Sequence, residues 1–271
     1  MKQITIKFLS IFPKKLSKRL ANVFSRIFKA VGTDDVKIYC NWKNTETQSV
    51  GFIFNGQYAI AHKSYAFGQE NVLLRNSISL LKNKSDIVII DIGANYGFLS
   101  LAWVQCLKPN VKVYSLEAHP NAYKNMHQSI IDNNIQNSMS AYNYAVGQNN
   151  GELEMYIRNT SLNKNPESQN SKDKIKVPMI CIDSFVKNEN LKKIDLIKID
   201  VDGMEYEILE GAHETIKMFR PDMIIETNND IRIMNLVKEW GYYLYNLNLS
   251  RVKDGEIPEN VVCLAKELVN K

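Results

Sequence analysis

Residues 87–97, IVIIDIGANYG, contain the pattern that decides the fold of this chain. The stretch opens with six residues of which five are isoleucine or valine. It continues into a turn containing glycine and is followed by an apolar helical stretch at 98–107. A buried strand, a glycine turn and a helix in this order are typical of α/β proteins that bind a ligand at the carboxyl ends of their strands. The pattern therefore predicts a ligand site at the tip of this strand.

Apolar runs separated by helical stretches continue along the chain. After Ile87–Ile92 they are Val111–Glu117, Ser140–Val146, Ile194–Val201 and Met223–Thr227. Such alternation predicts an α/β fold with a mostly parallel sheet that is covered by helices on both faces. The last runs predict a closing antiparallel pair, formed by Tyr242–Leu247 and Val261–Ala265.

The alternation is interrupted after the third strand. Glu152–Ile157 and Ile175–Cys181 have the composition of two additional strands. The segment Arg158–Lys174 between them is polar, and Leu162 is its one aliphatic residue. A long polar segment of this kind is either a mobile lid or a disordered insertion.

Residues 1–85 differ in pattern from the domain that we expect at 86–271. Asn55-Gly56 is a strong turn signal, and it predicts a β-hairpin because β-like runs flank it, Val50–Phe54 before it and Tyr58–His62 after it. A helix is predicted from about Glu70 to Lys82. The expected organisation is therefore an N-terminal extension with a helix and a hairpin, followed by the α/β domain.

The overall composition is that of an ordinary globular protein. Of the 271 residues, 45% are hydrophobic and 23% are charged, which excludes collagenous and wholly disordered chains. The four cysteines are far apart and contain no C-x-x-C pair, which disfavours zinc ribbons and disulfide scaffolds and fits a reducing, cytoplasmic location. No run approaches the roughly 20 apolar residues that a membrane-spanning helix needs.

The charge is concentrated at the N-terminus. Residues 1–32 carry eight basic side chains and no acidic one, which leaves 26 basic against 29 acidic residues for the rest of the chain. A main body with a formal charge of −3 is a poor binder of phosphate backbones, so nucleic acid is disfavoured as a partner.

Residues 14–31 have the pattern of a basic amphipathic helix. One face is apolar and contains Leu16, Leu20, Val23, Phe24, Ile27, Phe28 and Val31. Such a helix either docks on the body through its apolar face or lies on an anionic membrane surface, here the inner face of the membrane. A cleaved targeting peptide is disfavoured because no small-residue cleavage site is clear.

The glycine turn distinguishes between two classes of ligand. The dinucleotide fingerprint G-x-G-x-x-G needs a second glycine at the place where Asn95 stands. The remaining pattern, D-x-G-x-x-x-G, suits a ligand without phosphates, and Asp91 suits the ammonium group of S-adenosylmethionine. The second strand ends in Glu117, which is positioned to bind ribose hydroxyls.

Ionisable residues are clustered at the end of the fourth strand. Residues 198–205, KIDVDGME, contain Lys198, Asp200, Asp202 and Glu205, and Glu226 ends the neighbouring fifth strand. Charged groups at a buried strand end are costly unless they are paired, so the cluster indicates a site. Part of it is structural, because Gly203 permits a turn and Glu205 favours the positive end of a helix predicted at Met204–Met218.

The chain resembles the FkbM-type S-adenosylmethionine-dependent methyltransferases across residues 86–228. The resemblance rests on residues 91–97 and 198–205, and on the shorter motifs Ala145-Val146-Gly147, Ile182-Asp183-Ser184, Leu209-Glu210-Gly211-Ala212 and Ile225-Glu226. It implies a Rossmann-like class I methyltransferase sheet. Two departures are Asp202, where the family usually has Glu, and Ala118-His119-Pro120 after the ribose acid.

The resemblance also implies the roles of individual residues. The amino acid part of S-adenosylmethionine is expected near Asp91, Gly93, Asn95 and Gly97, the ribose on Glu117, and the adenine near Ala118 and Ala145. The implied acceptor is a hydroxyl of a sugar or glycan, lipid-linked glycans included, or of a polyketide-like small molecule. A catalytically silent cofactor-binding protein is the other open alternative.

Methyl transfer to a hydroxyl requires removal of a proton. An alcohol hydroxyl is about as weakly acidic as water, and a carboxylate from Asp200, Asp202 or Glu226 could accept the proton directly. Alternatively Mg²⁺ bound by Asp200, Glu226 and Asn228 could lower that pKa, since oxygen ligands suit a hard cation. The direct base is the preferred hypothesis.

Overall fold

The structure is a computed structural model of the chain. It describes residues 19–20, 23–24, 27, 35–43, 49–66, 70–158, 161–163, 174–266 and 268. The strands are β1 (Asp35–Lys43), β2 (Ser49–Gln57), β3 (Ile87–Ile92), β4 (Val111–Leu116), β5 (Met139–Tyr142), β6 (Ala145–Val146), β7 (Gly151–Arg158), β8 (Ser161–Asn163), β9 (Lys174–Ile180), β10 (Leu196–Ile199), β11 (Asp222–Glu226), β12 (Tyr243–Asn246) and β13 (Asn260–Leu264). The helices are α1 (Tyr58–Ala61), α2 (Asn71–Leu81), α3 (Phe98–Leu107), α4 (Pro120–Asp132), α5 (Ile182–Asn188), α6 (Glu205–Glu210), α7 (His213–Phe219) and α8 (Ile231–Glu239).

The central sheet has seven strands in the order β12-β13-β11-β10-β3-β4-β5. Strands β11, β10, β3, β4 and β5 are parallel, and β13 runs antiparallel to both β11 and β12. The predicted α/β fold and the closing antiparallel pair are therefore confirmed. In the register, Ile92 lies opposite both Ile199 and Leu116. The residues that follow these three strands consequently meet at one edge of the sheet.

Helices cover both faces of this sheet. One face packs against the β1–β2 hairpin and α1–α4, and the other packs against α5–α8. Trp103 of α3 is fully buried, and its Nε1 donates to Ser77 Oγ at 2.8 Å. The N-terminal hairpin thus shares a core with the α/β layers. The domain boundary at residue 85 stays a prediction.

The hairpin turn predicted at Asn55-Gly56 is wrong. Both residues lie inside β2, where they pair with Lys37 and Val36, and Tyr58–Ala61 is helical. The Asn55 side chain instead donates to Asp132 on α4, and a Cβ at Gly56 would meet Tyr96 at 2.7 Å. Tertiary contacts with neighbouring elements have overridden the local turn signal.

Two other predicted elements are divided in the structure. The run Ser140–Val146 splits into β5 and β6, and β6 belongs to a second sheet with the order β6-β9-β7-β8. The helix predicted at Met204–Met218 splits into α6 and α7 at Gly211, where a Cβ would lie 2.4 Å from the Gly147 carbonyl oxygen. Close backbone contact between the two elements therefore requires glycine at this position.

The strands predicted at 152–157 and 175–181 are confirmed as β7 and β9, which pair antiparallel. Of the polar segment Arg158–Lys174, residues 161–163 form β8 against the end of β7. Residues 159–160 and 164–173 lie outside the described part of the chain, so the choice between a lid and a disordered insertion stays a prediction there.

Most of the predicted amphipathic helix 14–31 also lies outside the described residues. The described positions 19, 20, 23, 24 and 27 are helical. Leu20 and Phe24 pack against the core, whereas Val23 and Ile27 are each about half exposed. Within the described ranges, no helix combines the length and apolarity needed to cross a membrane.

Candidate active site

A cavity of about 430 Å³ opens at the carboxyl edge of the central sheet. Its walls come from the ends of β3, β4, β10 and β11, from β6 and β7, and from residues 60–64 and Glu70, which follow the hairpin. The volume lies within the usual range for sites that hold a small molecule. The shared register of the parallel strands places the predicted motifs in one site.

Five of the seven predicted cofactor residues line this cavity. They are Gly93, Asn95, Glu117, Ala118 and Ala145. These five residues come from three separate parts of the chain, and the fold brings them to one cavity. Their contact with a cofactor stays a prediction.

Glu117 is held firmly at the tip of β4. Its Oε2 accepts from the Asn95 backbone N–H and its Oε1 accepts from the His119 N–H, both at 2.7 Å. Burial nonetheless raises the pKa of Glu117 to about 7. The carboxylate is thus oriented by two backbone groups of the β3–α3 and β4–α4 connections while it still faces the cavity.

The turn after β3 is shaped by positive φ angles. Gly93 has a φ of 73°, and a Cβ there would lie 1.8 Å from the Asp200 carbonyl oxygen, so only glycine fits. Asn95 adopts a φ of 54°, and its buried Oδ1 has no hydrogen-bond partner among the described residues. An unpaired buried acceptor in a cavity wall is costly, which favours a ligand donor at this point.

Asp91 and Gly97 lie away from the cavity surface, which differs from their expected contact with the ligand. Gly97 precedes α3 with a φ of 78° and packs closely on Met126. Asp91 is fully buried beneath the turn, where its Oδ2 accepts from Ser100 Oγ at 2.5 Å. Any influence of Asp91 on the ligand must therefore pass through its partners.

The principal partner of Asp91 is Lys198, whose functional importance the sequence reading did not recognise. Lys198 Nζ lies 3.5 Å from Asp91 Oδ1, 3.3 Å from Asp200 Oδ2 and 3.2 Å from the Gly93 carbonyl oxygen. Burial opposes the ammonium charge, but the surrounding carboxylates outweigh it and raise the pKa of Lys198. A lysine between aliphatic residues of a buried strand is the sequence signal that could have identified it.

Asp200 and Glu226 form a carboxyl pair at the cavity wall and share a hydrogen bond. The Lys198 ammonium lowers the pKa of Asp200. Desolvation and then the Asp200 charge raise the pKa of Glu226 to about 7. Two neighbouring carboxyl groups thus have separated pKa values, an arrangement that suits acid–base chemistry near neutral pH.

The loop after β10 positions Asp202 beside this pair. Asp202 and Gly203 both have positive φ angles, 60° and 107°. Glu205 holds the loop, because its buried carboxylate accepts from the backbone N–H groups of Val201 and Gly203. Desolvation raises the pKa of Asp202.

The groups suggested as metal ligands are partly engaged with protein atoms. Asn228 Nδ2 donates to Glu205 Oε1 at 3.0 Å and to Glu226 Oε2 at 3.4 Å. In the part of the chain that the structure describes, no three or more His, Cys, Asp or Glu side chains are grouped so that they could hold a metal ion. The binding of Mg²⁺ by Asp200, Glu226 and Asn228 stays a prediction.

The N-terminal extension contributes to the cavity, which the sequence reading missed. Ile60, Lys63, Ser64 and Glu70 all line it. Tyr58, Ala61 and His62, which are buried, anchor the same segment. No sequence motif marks these residues, because only the packing of the hairpin on the α/β layers brings them to the strand ends.

The chain is similar in sequence to known methyltransferases. A profile of the Methyltransferase FkbM domain matches residues 91–244. The 2-O-methyltransferase NoeI of Sinorhizobium fredii (strain NBRC 101917 / NGR234) is 26% identical over 163 residues, which cover 54% of this chain and 65% of NoeI. The methyltransferase sdnD of Sordaria araneosa is 23% identical over 201 residues, which cover 63% of this chain and 77% of sdnD.

A solved structure supports the same fold. The crystal structure of the methyltransferase FkbM from Methylobacillus flagellatus KT has a TM-score of 0.50 and 16% identity, and the match covers 76% of this chain and 52% of that chain. This chain thus matches less than two thirds of NoeI and about half of the solved chain. The profile covers more than half of the sequence, and the sheet has the class I Rossmann-like arrangement. The chain therefore belongs to the FkbM family of S-adenosylmethionine-dependent methyltransferases.

Proposed function

We propose that this protein methylates a hydroxyl group of a sugar or glycan, with S-adenosylmethionine as the methyl donor. The observation that carries the proposal is the Asp200–Glu226 carboxyl pair at the wall of the cavity, because a base near neutral pH suits a hydroxyl acceptor. The name of the relative NoeI, a 2-O-methyltransferase, supports oxygen as the acceptor atom.

The residues of the cavity fit the proposed cofactor. The unpaired Asn95 Oδ1 can accept from its ammonium group, and the Glu117 carboxylate can accept from ribose hydroxyls. Ala118 and Ala145 leave space for an adenine ring beside Val146. When bound, S-adenosylmethionine supplies a methyl group that its sulfonium charge activates.

The residues of the chain then have two tasks, to orient the acceptor and to take its proton. Lys198 keeps Asp200 ionised, and burial together with the Asp200 charge keeps the pKa of Glu226 near 7. Glu226 is then the stronger base of the pair, and it is ionised at slightly alkaline pH. We assign to Glu226 the removal of the hydroxyl proton, with Asp202 as the alternative.

Calorimetry followed by an activity assay tests the proposal. The protein should bind S-adenosylmethionine and release S-adenosylhomocysteine when it is offered neutral monosaccharides or glycans. Binding of the cofactor with no turnover on any sugar acceptor would contradict the sugar assignment. Turnover on polyketide-like hydroxyl compounds instead would favour a small-molecule methyltransferase, and turnover on neither would favour a silent cofactor-binding protein.

Substituting Glu117→Ala should weaken the binding of S-adenosylmethionine by about ten- to a hundredfold. The reason is that hydrogen bonds to a charged group each contribute about 1.5–3 kcal/mol. Calorimetry measures the affinity, and far-UV circular dichroism checks that the variant is folded. The exposed Glu239→Ala is the matched control and should bind as the parent does. If the Glu117→Ala variant binds S-adenosylmethionine as tightly as the parent, Glu117 does not bind the cofactor.

Chelation should leave turnover unchanged, because Glu226 can accept the proton without a metal ion. The assay compares initial rates before and after EDTA treatment and dialysis. A loss of activity that Mg²⁺ restores would instead support a cation bound by Asp200, Glu226 and Asn228.

We also propose that residues 14–31 contact an anionic membrane surface. Replacing Lys14, Lys15 and Lys18 together by glutamine should weaken binding to vesicles with anionic lipid by about a hundredfold, at about 1 kcal/mol for each basic residue. Flotation of the full chain measures the binding, and replacement of Lys187, Lys192 and Lys193 is the matched control. If both variants float equally with the vesicles, the membrane contact is wrong, and docking of residues 14–31 on the α/β domain is favoured.

A further inference from the structure

Residues 60–64 and Glu70 of the N-terminal region contribute to the cavity although they lie outside the family match at 91–244. This part of the chain is anchored in the protein interior, because Tyr58, Ala61 and His62 are all buried. Ile60 and Ser64 consequently face the cavity from a supported backbone, and Ser64 is itself only 7% exposed. A wall that the shared methyltransferase domain does not supply is a natural place for acceptor selection.

Glu70 lies at the catalytic end of this wall. Burial raises the pKa of Glu70, and the charges of Lys198, Asp200, Asp91 and Glu259 also act on its carboxyl group. Glu70 is partly buried and lines the cavity. Glu70 therefore shares the cavity with Glu226 and lies within electrostatic range of Asp200.

The cavity has an excess of negative charge at this end. Among the described lining residues, the acids are Glu70, Glu117, Asp200, Asp202 and Glu226, and the bases are Lys63 and Lys198. Lys198 is already paired with Asp91 and Asp200, and Lys63 is exposed to solvent. Several carboxylates would thus repel an anionic group beside the reacting hydroxyl. Screening by water weakens the attraction that Lys63 exerts on such a group.

We propose that Ile60, Ser64 and Glu70 form the acceptor-facing wall and that Glu70 is a specificity-determining residue. It excludes acceptors with a phosphate or carboxylate next to the reacting hydroxyl and admits neutral or amine-bearing polyols. Ser64 can donate a hydrogen bond to, or accept one from, an acceptor hydroxyl. This inference rests on the proposed function, because it names the chemical class of the acceptor for the same site.

Three sugars test the inference, namely glucose and two relatives, glucosamine and glucuronate, that each differ from it in one substituent. At pH 7 glucose is neutral, glucosamine is mainly cationic and glucuronate is anionic. Binding to the protein loaded with S-adenosylhomocysteine is measured by saturation-transfer NMR, and methyl transfer is measured separately as kcat/KM. The parent should bind glucuronate at least about tenfold more weakly than the other two sugars.

Glu70→Gln should reduce this discrimination by about tenfold and leave the affinity for S-adenosylmethionine unchanged. Glu259→Gln is the matched control, since Glu259 is exposed and close enough to act on Glu70 but does not line the cavity. Ser64→Ala should weaken binding of all three sugars equally.

The outcomes separate this inference from the proposed function. Equal binding of glucuronate, an unchanged preference in Glu70→Gln, or no binding of any sugar would overturn the inference. Binding with the expected preference but without methyl transfer to any sugar would overturn the proposed function and leave the charge selection intact.

Discussion

Lys198→Met is expected to destabilise the protein by about 3–5 kcal/mol, measured as the free energy of unfolding in urea. The substitution removes the cation that pairs with Asp91, a carboxylate with no solvent exposure. It also removes the hydrogen bond from Nζ to the Gly93 carbonyl oxygen in the turn that lines the cavity. An uncompensated buried charge is the dominant cost, because the methionine replaces most of the volume of the lysine side chain.

Two variants serve as controls for this prediction. Lys176→Met breaks an exposed ion pair with Glu152 and should cost less than about 1 kcal/mol. The double variant Asp91→Asn, Lys198→Met contains neither charge, and it should recover most of the stability that the single variant loses. If Lys198→Met unfolds at the same urea concentration as the parent, Lys198 does not neutralise Asp91.

Glu226→Gln is expected to lower kcat by about 10²- to 10⁴-fold, the usual contribution of a general base. The glutamine amide keeps the size of the side chain but cannot accept the hydroxyl proton. Affinity for S-adenosylmethionine should not change, because the residues expected to bind it lie at the tips of β3 and β4. Calorimetry and initial-rate kinetics separate the two effects.

The pH profile gives an independent test of Glu226. A base must be deprotonated to act, and the pKa of Glu226 is raised to about 7. Activity should therefore be constant above this pH and fall about tenfold for each pH unit below it. Glu226→Gln should abolish this inflection, whereas the exposed Glu239→Gln should preserve it. If Glu226→Gln retains nearly the parental kcat, Glu226 is not the base, and the role of base falls to Asp202.

The different pKa values of the acids in the site depend on residues that are close in space but distant in sequence. Asp91, Lys198, Asp200 and Glu226 come from three neighbouring strands, and each changes the protonation of the next. The sequence reading identified the acids because they follow buried strands, which is a local pattern. It could not assign separate roles to them, since their pKa values depend on burial and on partners across the sheet.

The outcome for Asp91 illustrates the same limit. An acid just before a glycine turn resembles a ligand contact, yet its side chain points beneath the turn to Ser100 and Lys198. The direction of a side chain at a strand end depends on the twist of the sheet and on what packs against it. Neither is encoded in the spacing of the motif.

Local patterns in the sequence were enough to predict the α/β class, most of the strands, the glycine turn and the acidic strand ends. All of these follow from hydrophobic periodicity and backbone preferences, which act over a few residues. Long-range packing, in contrast, keeps Asn55-Gly56 within a strand, joins Lys198 to Asp91 and Asp200, and brings Ser64 and Glu70 to the cavity. These features arise from contacts between residues that are far apart in the chain, whose energies exceed local preferences once the core has formed.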